Sequence, residues 1–332
     1  MTTLLALTEY TGWGINQNND SVLTATGSLI RRDHTRVSYG LLSTTEFTRE
    51  LSEPVSQGWL GVYARAPQTF GGDVPGYFIE AIDSNGDTLF GLARDDDPRN
   101  CVLRAPFLSE DIMLLPYNAD PGEIAISFNI AETDGSIDAF VDGEIVGQFA
   151  GDTKGGLGAD VVALRYSRNG SNSNSLAGHI AISEVLVSTL STIRFKVITA
   201  GLSGGAVNQW DGDVANITPH GYSTVEDALT TEDADTLISL DKSDIPTLSE
   251  DEFIASVHLE VASSADAGAT AQAADLLIYD PATSTELSPE QKTLGASVET
   301  FTAQWDQDPR TSSAWDKAGV DEIEFGVASR SV

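Results

Sequence analysis

The chain has 332 residues, enough for about two domains of roughly 150 residues with a full core each. Its 50 Asp and Glu against 18 Lys and Arg give a formal net charge of -32. A surface this negative repels phosphate backbones and anionic headgroups, which excludes nucleic acid and membrane surfaces as partners. The single cysteine, Cys101, excludes an intrachain disulfide and a cysteine zinc cluster, so the fold must stand on its cores.

In chain order, the opening MTTLLALTEYTGW has no basic n-region, and its apolar run is too short for a signal peptide or a membrane span, so a cytoplasmically made protein is expected. Strands are predicted over Gly58 to Ala66, Gly76 to Ala81, Glu123 to Ile130, Ile137 to Phe149 and Gly178 to Val187. Each alternates or is continuously apolar, and Gly, Asn and Asp turns separate them. The turn Asp83-Ser84-Asn85-Gly86-Asp87 joins two strands, and Asp142-Gly143 folds the 137 to 149 run into a hairpin. Short helices are predicted over Thr224 to Leu229, Ser249 to Phe253 and Asp316 to Val320. The fold class is all-β, two β-sandwich domains.

A domain boundary is predicted near Thr189 to Thr192, giving domains 1-192 and 193-332. A new strand is expected from Ile193 to Thr199, followed by a loose Gly201 to Gly205. Residues 1 to 192 carry 25 acids and 11 bases, net -14, and residues 193 to 332 carry 25 acids and 7 bases, net -18. The shorter half is therefore the more negative, and its carboxylates belong on loops.

Residues 305 to 332 read WDQDPRTSSAWDKAGVDEIEFGVASRSV. Trp305 and Trp315, ten residues apart in a turn-rich segment before a short strand, describe a loop pinned by two aromatic anchors. The phrase resembles the C-terminal end of a module found in many tailed-phage virion proteins, W-D-x-D-P-x-T-x-x-x-W-x-x-x-x-V-x-x-x-E-x-G-V, with its spacing kept from Trp305 to Val327. Trp210, in Asn208-Gln209-Trp210-Asp211-Gly212-Asp213, sits where that module has an aromatic-acidic turn and joins the other two as a structural anchor. The N-terminal half resembles the concanavalin A-like fold in its laminin-G-like form. That resemblance is carried by GWLGVYARA, by IDAFVDGEIVGQF with its V-D-G turn, and by GHIAISEVLVS.

These resemblances imply a structural protein of a tailed phage, whether a capsid-surface decoration, a fibre or a tail appendage. It would be made in the host cytoplasm and assembled into the virion. Implied partners are other capsid or tail proteins, further copies of the chain as a homo-oligomer such as a trimer, and host glycan. Only 5 of the 18 cations are Lys, which fits a marine or halophilic source and so a marine phage.

The alternatives are a carbohydrate-binding lectin-like module and a glycan hydrolase. Hydrolases of this fold need an E-x-D-x-x-E strand that sets two carboxylates about 5 to 5.5 Å apart on one face. Here the nearest set, Glu80, Asp83 and Asp87, straddles a turn. His34, His179, His220 and His258 are isolated from one another and form no zinc pattern. No G-x-S-x-G elbow occurs, and Gly71-Gly72 lacks the Lys-Ser/Thr of a phosphate loop. No catalytic residue is therefore expected. Asp83, Asn85 and Asp87 follow the spacing that opens a calcium loop, but position 94, where the bidentate Glu would stand, is Arg94. Turn chemistry alone produces the same composition. Asp95-Asp96-Asp97 reads as an acidic loop, and Trp13, Trp59, Tyr77 and Tyr166 as core or interface aromatics.

Overall fold

The computed structural model describes residues 3–7, 22–25, 38–41, 47–65, 76–95, 100–116, 119–166, 181–197, 202–208, 235–240, 248, 252–265, 272–297 and 299–330. The chain divides into two compact units, Met1–Val197 and Ile198–Val332. It is all-β, and the strands of every sheet pair antiparallel.

In the first unit the strands are β1 (Thr3–Leu7), β2 (Val22–Ala25), β3 (Ser38–Leu41), β4 (Phe47–Val55), β5 (Gln57–Arg65), β6 (Tyr77–Ile82) and β7 (Thr88–Arg94). They continue with β8 (Cys101–Arg104), β9 (Ile112–Leu115), β10 (Gly122–Asn129), β11 (Gly135–Val141), β12 (Glu144–Gly151), β13 (Val161–Tyr166) and β14 (Ala181–Ser188). One sheet has eight strands in the order β12-β11-β10-β5-β14-β3-β2, with β1 also on β14; the other has six, β4-β13-β6-β7-β8-β9. The period-2 pattern of each strand decides its faces. Leu60, Val62 and Ala64 of β5 and Ile124, Ile126 and Phe128 of β10 turn inward from the first sheet. They meet Ile79 and Ala81 of β6, Phe90 and Leu92 of β7, and Leu103 of β8 from the second. Phe90 and Phe128, with ring centroids 5.1 Å apart, bridge the sheets at the centre of this core. The result is the two-sheet jelly-roll sandwich expected of this half. The predicted run from 137 to 149 is the β11-β12 hairpin, with Asp142 and Gly143 both at positive φ (51° and 82°), as a two-residue primed turn requires.

Residues 193 to 197 correct the expected boundary. They form no strand, and they belong to the first unit. After β14 the chain turns back and crosses the outer face of the eight-stranded sheet as a strap. Ile193 lies by Gly143, the backbone N–H of Arg194 donates to Glu123 Oε1 on β10, and the N–H of Val197 donates to Glu184 Oε2 on β14 at 3.1 Å. Phe195 settles over Gly61 of β5, where an added Cβ would stand 2.9 Å from the ring. The apolar alternation of IRFKV, residues 193 to 197, is thus satisfied by lying on a sheet rather than by joining one, and Ile198 and Thr199 of the expected strand lie outside the described residues. Arg194 takes a positive φ of 61° where the strap bends.

The second unit contains β15 (Leu202–Asn208), β16 (Asp235–Leu240), β17 (Val257–Ser263), β18 (Ala273–Asp280), β19 (Thr285–Thr293), β20 (Glu299–Trp305), the one-turn helix α1 (Lys317–Asp321) and β21 (Glu324–Arg330). A five-stranded sheet, β15-β16-β21-β18-β19, and the pair β17-β20 enclose a core of Leu276, Ile278, Ala303, Trp305, Trp315, Val320, Ile323 and Phe325. The expected loose glycines fall largely inside β15, whose pairing with β16 shifts register twice, between Leu202 and Gly204 and between Gly204 and Val207. The helix expected over Asp316 to Val320 is α1, displaced by one residue because Asp316 is its N-cap and accepts from the N–H of Gly319. Glu252 and Phe253 are not helical, and the rest of that predicted helix lies outside the described residues, as does Thr224 to Leu229. No described helix is long and apolar enough to cross a membrane.

Candidate functional site

Glu80, singled out in the sequence, belongs to a polar row on the outer face of the six-stranded sheet. Register sets Arg165 of β13 beside Glu80 of β6, Glu80 beside Gly91 of β7, and Gly91 beside Arg104 of β8. Their inward neighbours are the core residues Ile79, Ala81, Phe90, Leu92 and Leu103, so this row must face away from the core. Glu80 is 4% exposed. Its Oε2 accepts from Arg165 Nη2 at 2.5 Å and from Thr88 Oγ1 at 2.5 Å, and its Oε1 accepts from Arg165 Nε at 3.2 Å. The same guanidinium reaches Gly86 O at 3.3 Å. The carboxylate is held in a two-pronged pair that ties β6, β13 and the following turn together.

Asp83 lies inside that turn. Its Oδ1 accepts the backbone N–H of Asn85 at 2.8 Å and of Asp87 at 2.9 Å, and its Oδ2 accepts that of Gly158 at 2.8 Å. Burial pushes its pKa upward, but the backbone donors of Gly158, Asp87 and Asn85 outweigh burial and hold it below the ordinary carboxylate value. Both oxygens therefore face amide donors, which a calcium ion would have to displace. Among the described residues no group of three or more His, Cys, Asp or Glu comes together as a metal site. In this fold Asp83, Asn85 and Asp87 build the β6-β7 turn and anchor it to the loop at Gly158.

Tyr77 sits in the middle of the row. Its ring lies over the bare backbone of Gly91, where an added Cβ would be 2.9 Å from the ring and 2.2 Å from Ile79 O. Burial raises its phenol pKa, Arg104 opposes that rise, and the negative charges of Glu80 and Asp111 add to it. Arg104 in turn makes a bidentate pair with Asp111, Nε to Oδ1 at 3.1 Å and Nη2 to Oδ2 at 2.5 Å. A half-buried aromatic ring is thus framed by two Arg-carboxylate pairs. That arrangement offers a planar apolar surface with charged hydrogen-bonding groups at its sides, the chemistry a polar, flat-faced ligand uses.

The remaining singled-out residues are dispersed. Trp305 and Trp315 are both buried; Trp315 Nε1 donates to Trp305 O at 2.7 Å, and Trp305 Nε1 donates to Ser288 O at 3.2 Å. Between them Asp308 receives the backbone N–H, Nε and Nη2 of Arg310, whose Nη1 also reaches Glu322 at 3.0 Å. Tyr166 is buried in the first core, and Trp59 stacks on Phe140 at 5.6 Å. Asp95 accepts from Asn100 at 2.7 Å. His258 lies on β17 with Nε2 2.7 Å from Ser256 Oγ, and burial pushes its pKa down to about 4. Trp13, His34, Gly71, Gly72, Asp96, Asp97, His179, Trp210 and His220 lie outside the described residues. The sequence reading missed Glu123 and Glu184. Both are buried carboxylates on outward strand positions and capture the strap. An outward Glu in an alternating strand looks solvated, and only the strap above it reveals otherwise.

No protein-family model matches the chain, and no curated protein matches it. Among solved structures, the chain is similar to an endo-β-1,4-glucuronan lyase from the fungus Trichoderma reesei, over 57% of this chain and 96% of that one, at 11% identity and a TM-score of 0.37. An alginate lyase is similar over 52% of this chain and 98% of its own, at 11% identity and a TM-score of 0.31. A prokaryotic β-1,3-1,4-glucanase derived from a mouse hindgut metagenome is similar over 51% and 79%, at 11% identity and a TM-score of 0.29. Likeness at this level leaves activity undetermined.

Proposed function

We propose that this protein is a non-catalytic structural component of a tailed-phage virion, placed on the capsid surface, in a fibre or in a tail appendage, in contact with other virion proteins. The observation that carries the reading is the phrase from Trp305 to Val327. Its residues are spent on closing a β-sandwich: two tryptophans, the Asp308-Arg310 clasp and the Asp316 cap lead into β21. The non-catalytic reading is supported by Glu80 and Asp83, whose oxygens are engaged with Arg165, Thr88 and backbone amides. Mass spectrometry of purified particles tests the reading: the chain should be present at stoichiometric copy number, and its absence from particles would overturn the proposal. Turnover of a glucan, alginate or glucuronan panel that disappears in Glu80→Gln would overturn the catalytic silence.

A second reading, contact with host glycan, is favoured by one observation, the Tyr77 ring over Gly91 between the two ion pairs. Tyr77→Ala should abolish binding to a glycan array if this face holds sugar, and retained binding would place any sugar site elsewhere.

A further inference from the structure

Strand edges are where sandwiches associate, and proteins usually block them with charge, proline, bulges or brevity. Of the strands that end the two sheet orders of the first unit, β2 and β9 span four residues each, and β4 carries Arg49, Glu50, Glu53 and Pro54. β12 differs. It runs eight residues as EIVGQFAG, with no proline and no cation; its one charge, Glu144, stands at its first position, and its one bulge, at Val146, leaves Gly147 to Gly151 in regular register with β11. On its outer side it has no partner among the described strands.

Large apolar side chains are exposed at this same edge. Among the described residues five such side chains are exposed, and three of them are Met113 (44%), Ile145 (49%) and Val146 (43%), on β9 and β12. The two strands lie together, since an added Cβ at Gly147 would meet Ile112 at 2.3 Å. We infer that the β12 edge is an interface between two copies of this chain, paired antiparallel about a twofold axis near the middle of the strand, so that the eight-stranded sheet runs on into its mate. Charge identifies the occupant. In a chain of net charge -32, a basic partner would be met by acidic surface, but residues 112 to 115 and 145 to 151 carry no charge at all. A partner as acidic as this chain can approach only through such a neutral strip, and a second copy is such a partner. A strand edge also meets its own copy through a self-complementary twofold contact, which makes a dimer rather than a trimer the closed form.

The inference is independent of the virion reading, which particle mass spectrometry tests separately. Sedimentation velocity of the full chain from about 1 to 100 µM reads the association directly. The expected result is a monomer-dimer equilibrium that strengthens as salt screens the like charges and weakens about tenfold or more in Ile145→Lys and in Val146→Lys. Both positions are exposed, so the monomer fold should survive, and an unchanged melt of each variant verifies that. Gln148→Cys should give a disulfide-linked dimer on mild oxidation, because Cys101 is buried and cannot compete. A wild-type monomer over the whole range, a trimer, or a dimer indifferent to both lysines would overturn the inference.

Discussion

At the scale of single residues, the acidic turn and the half-buried histidine both lose stability as pH falls, over different windows. Asp83 serves as an acceptor for three backbone amides, so Asp83→Ala should cost the first unit about 2 kcal/mol, read as a lower denaturation midpoint. Its folded pKa lies below the unfolded value. Its contribution is therefore complete above about pH 4 and is lost as pH falls through the folded value, a slope that Asp83→Asn should flatten. Since amides already fill the carboxylate, calcium or a chelator should leave the first unit's melting temperature unchanged, and a calcium-dependent rise would revive the metal reading. His258 titrates higher on the scale. Burial lowers its pKa to about 4, so the folded state holds it neutral. Below about pH 6.5 the unfolded chain takes up a proton that the folded one refuses, and the second unit should lose at most about 3 kcal/mol between pH 6.5 and 4. Thermal melts across that window check it, with His258→Gln as the flat control.

At the scale of elements, the strands that were easiest to read are those whose two faces differ in chemistry. β5, β10 and the β11-β12 hairpin alternate cleanly and sit where the pattern put them, and the Asp-Gly turn carries its own backbone requirement. The strap over 193 to 197 defeated the same logic. Its alternation is that of a strand, and what makes it a strap is a contact partner far away in sequence: Gly61, which leaves room for Phe195, and Glu123 and Glu184, which take its amides. The outer-face row of Glu80, Gly91, Arg104 and Arg165 was hidden for the same reason, since its members come from four strands and only register aligns them. The strap is testable as part of the first unit. Phe195→Ala should destabilise that unit by about 3 kcal/mol, and a truncation after Val197 should melt like the intact unit. A truncation after Thr192 should melt lower. Equal melts for the two truncations would return the boundary to residue 192.

At the scale of the whole molecule, each unit has a core cluster of its own among the described residues. Their charge is shared in kind, and each half repels itself, so both melts should rise as salt shortens the screening length toward about 8 Å and below. Among the described residues the second unit has the smaller core cluster, and that cluster rests heavily on the closing phrase. Trp305 packs on Phe325 with ring centroids 6.1 Å apart, and Trp315 is locked to it through the hydrogen bond to Trp305 O. Removing either indole leaves a void beside Leu276, Ile278 and Phe325 and strands a carbonyl, a loss of about 3 to 5 kcal/mol. A domain of this size has only about 5 to 15 kcal/mol to lose. Trp305→Ala and Trp315→Ala should therefore each split the melt into two transitions, the lower one belonging to residues 198 to 332, while the first unit unfolds at its ordinary temperature. Limited proteolysis read beside the melt should leave a resistant fragment ending beyond Val197. If both variants melt as the wild type does, the tryptophans do not hold the second core, and an exposed role in ligand contact becomes the better account of the phrase.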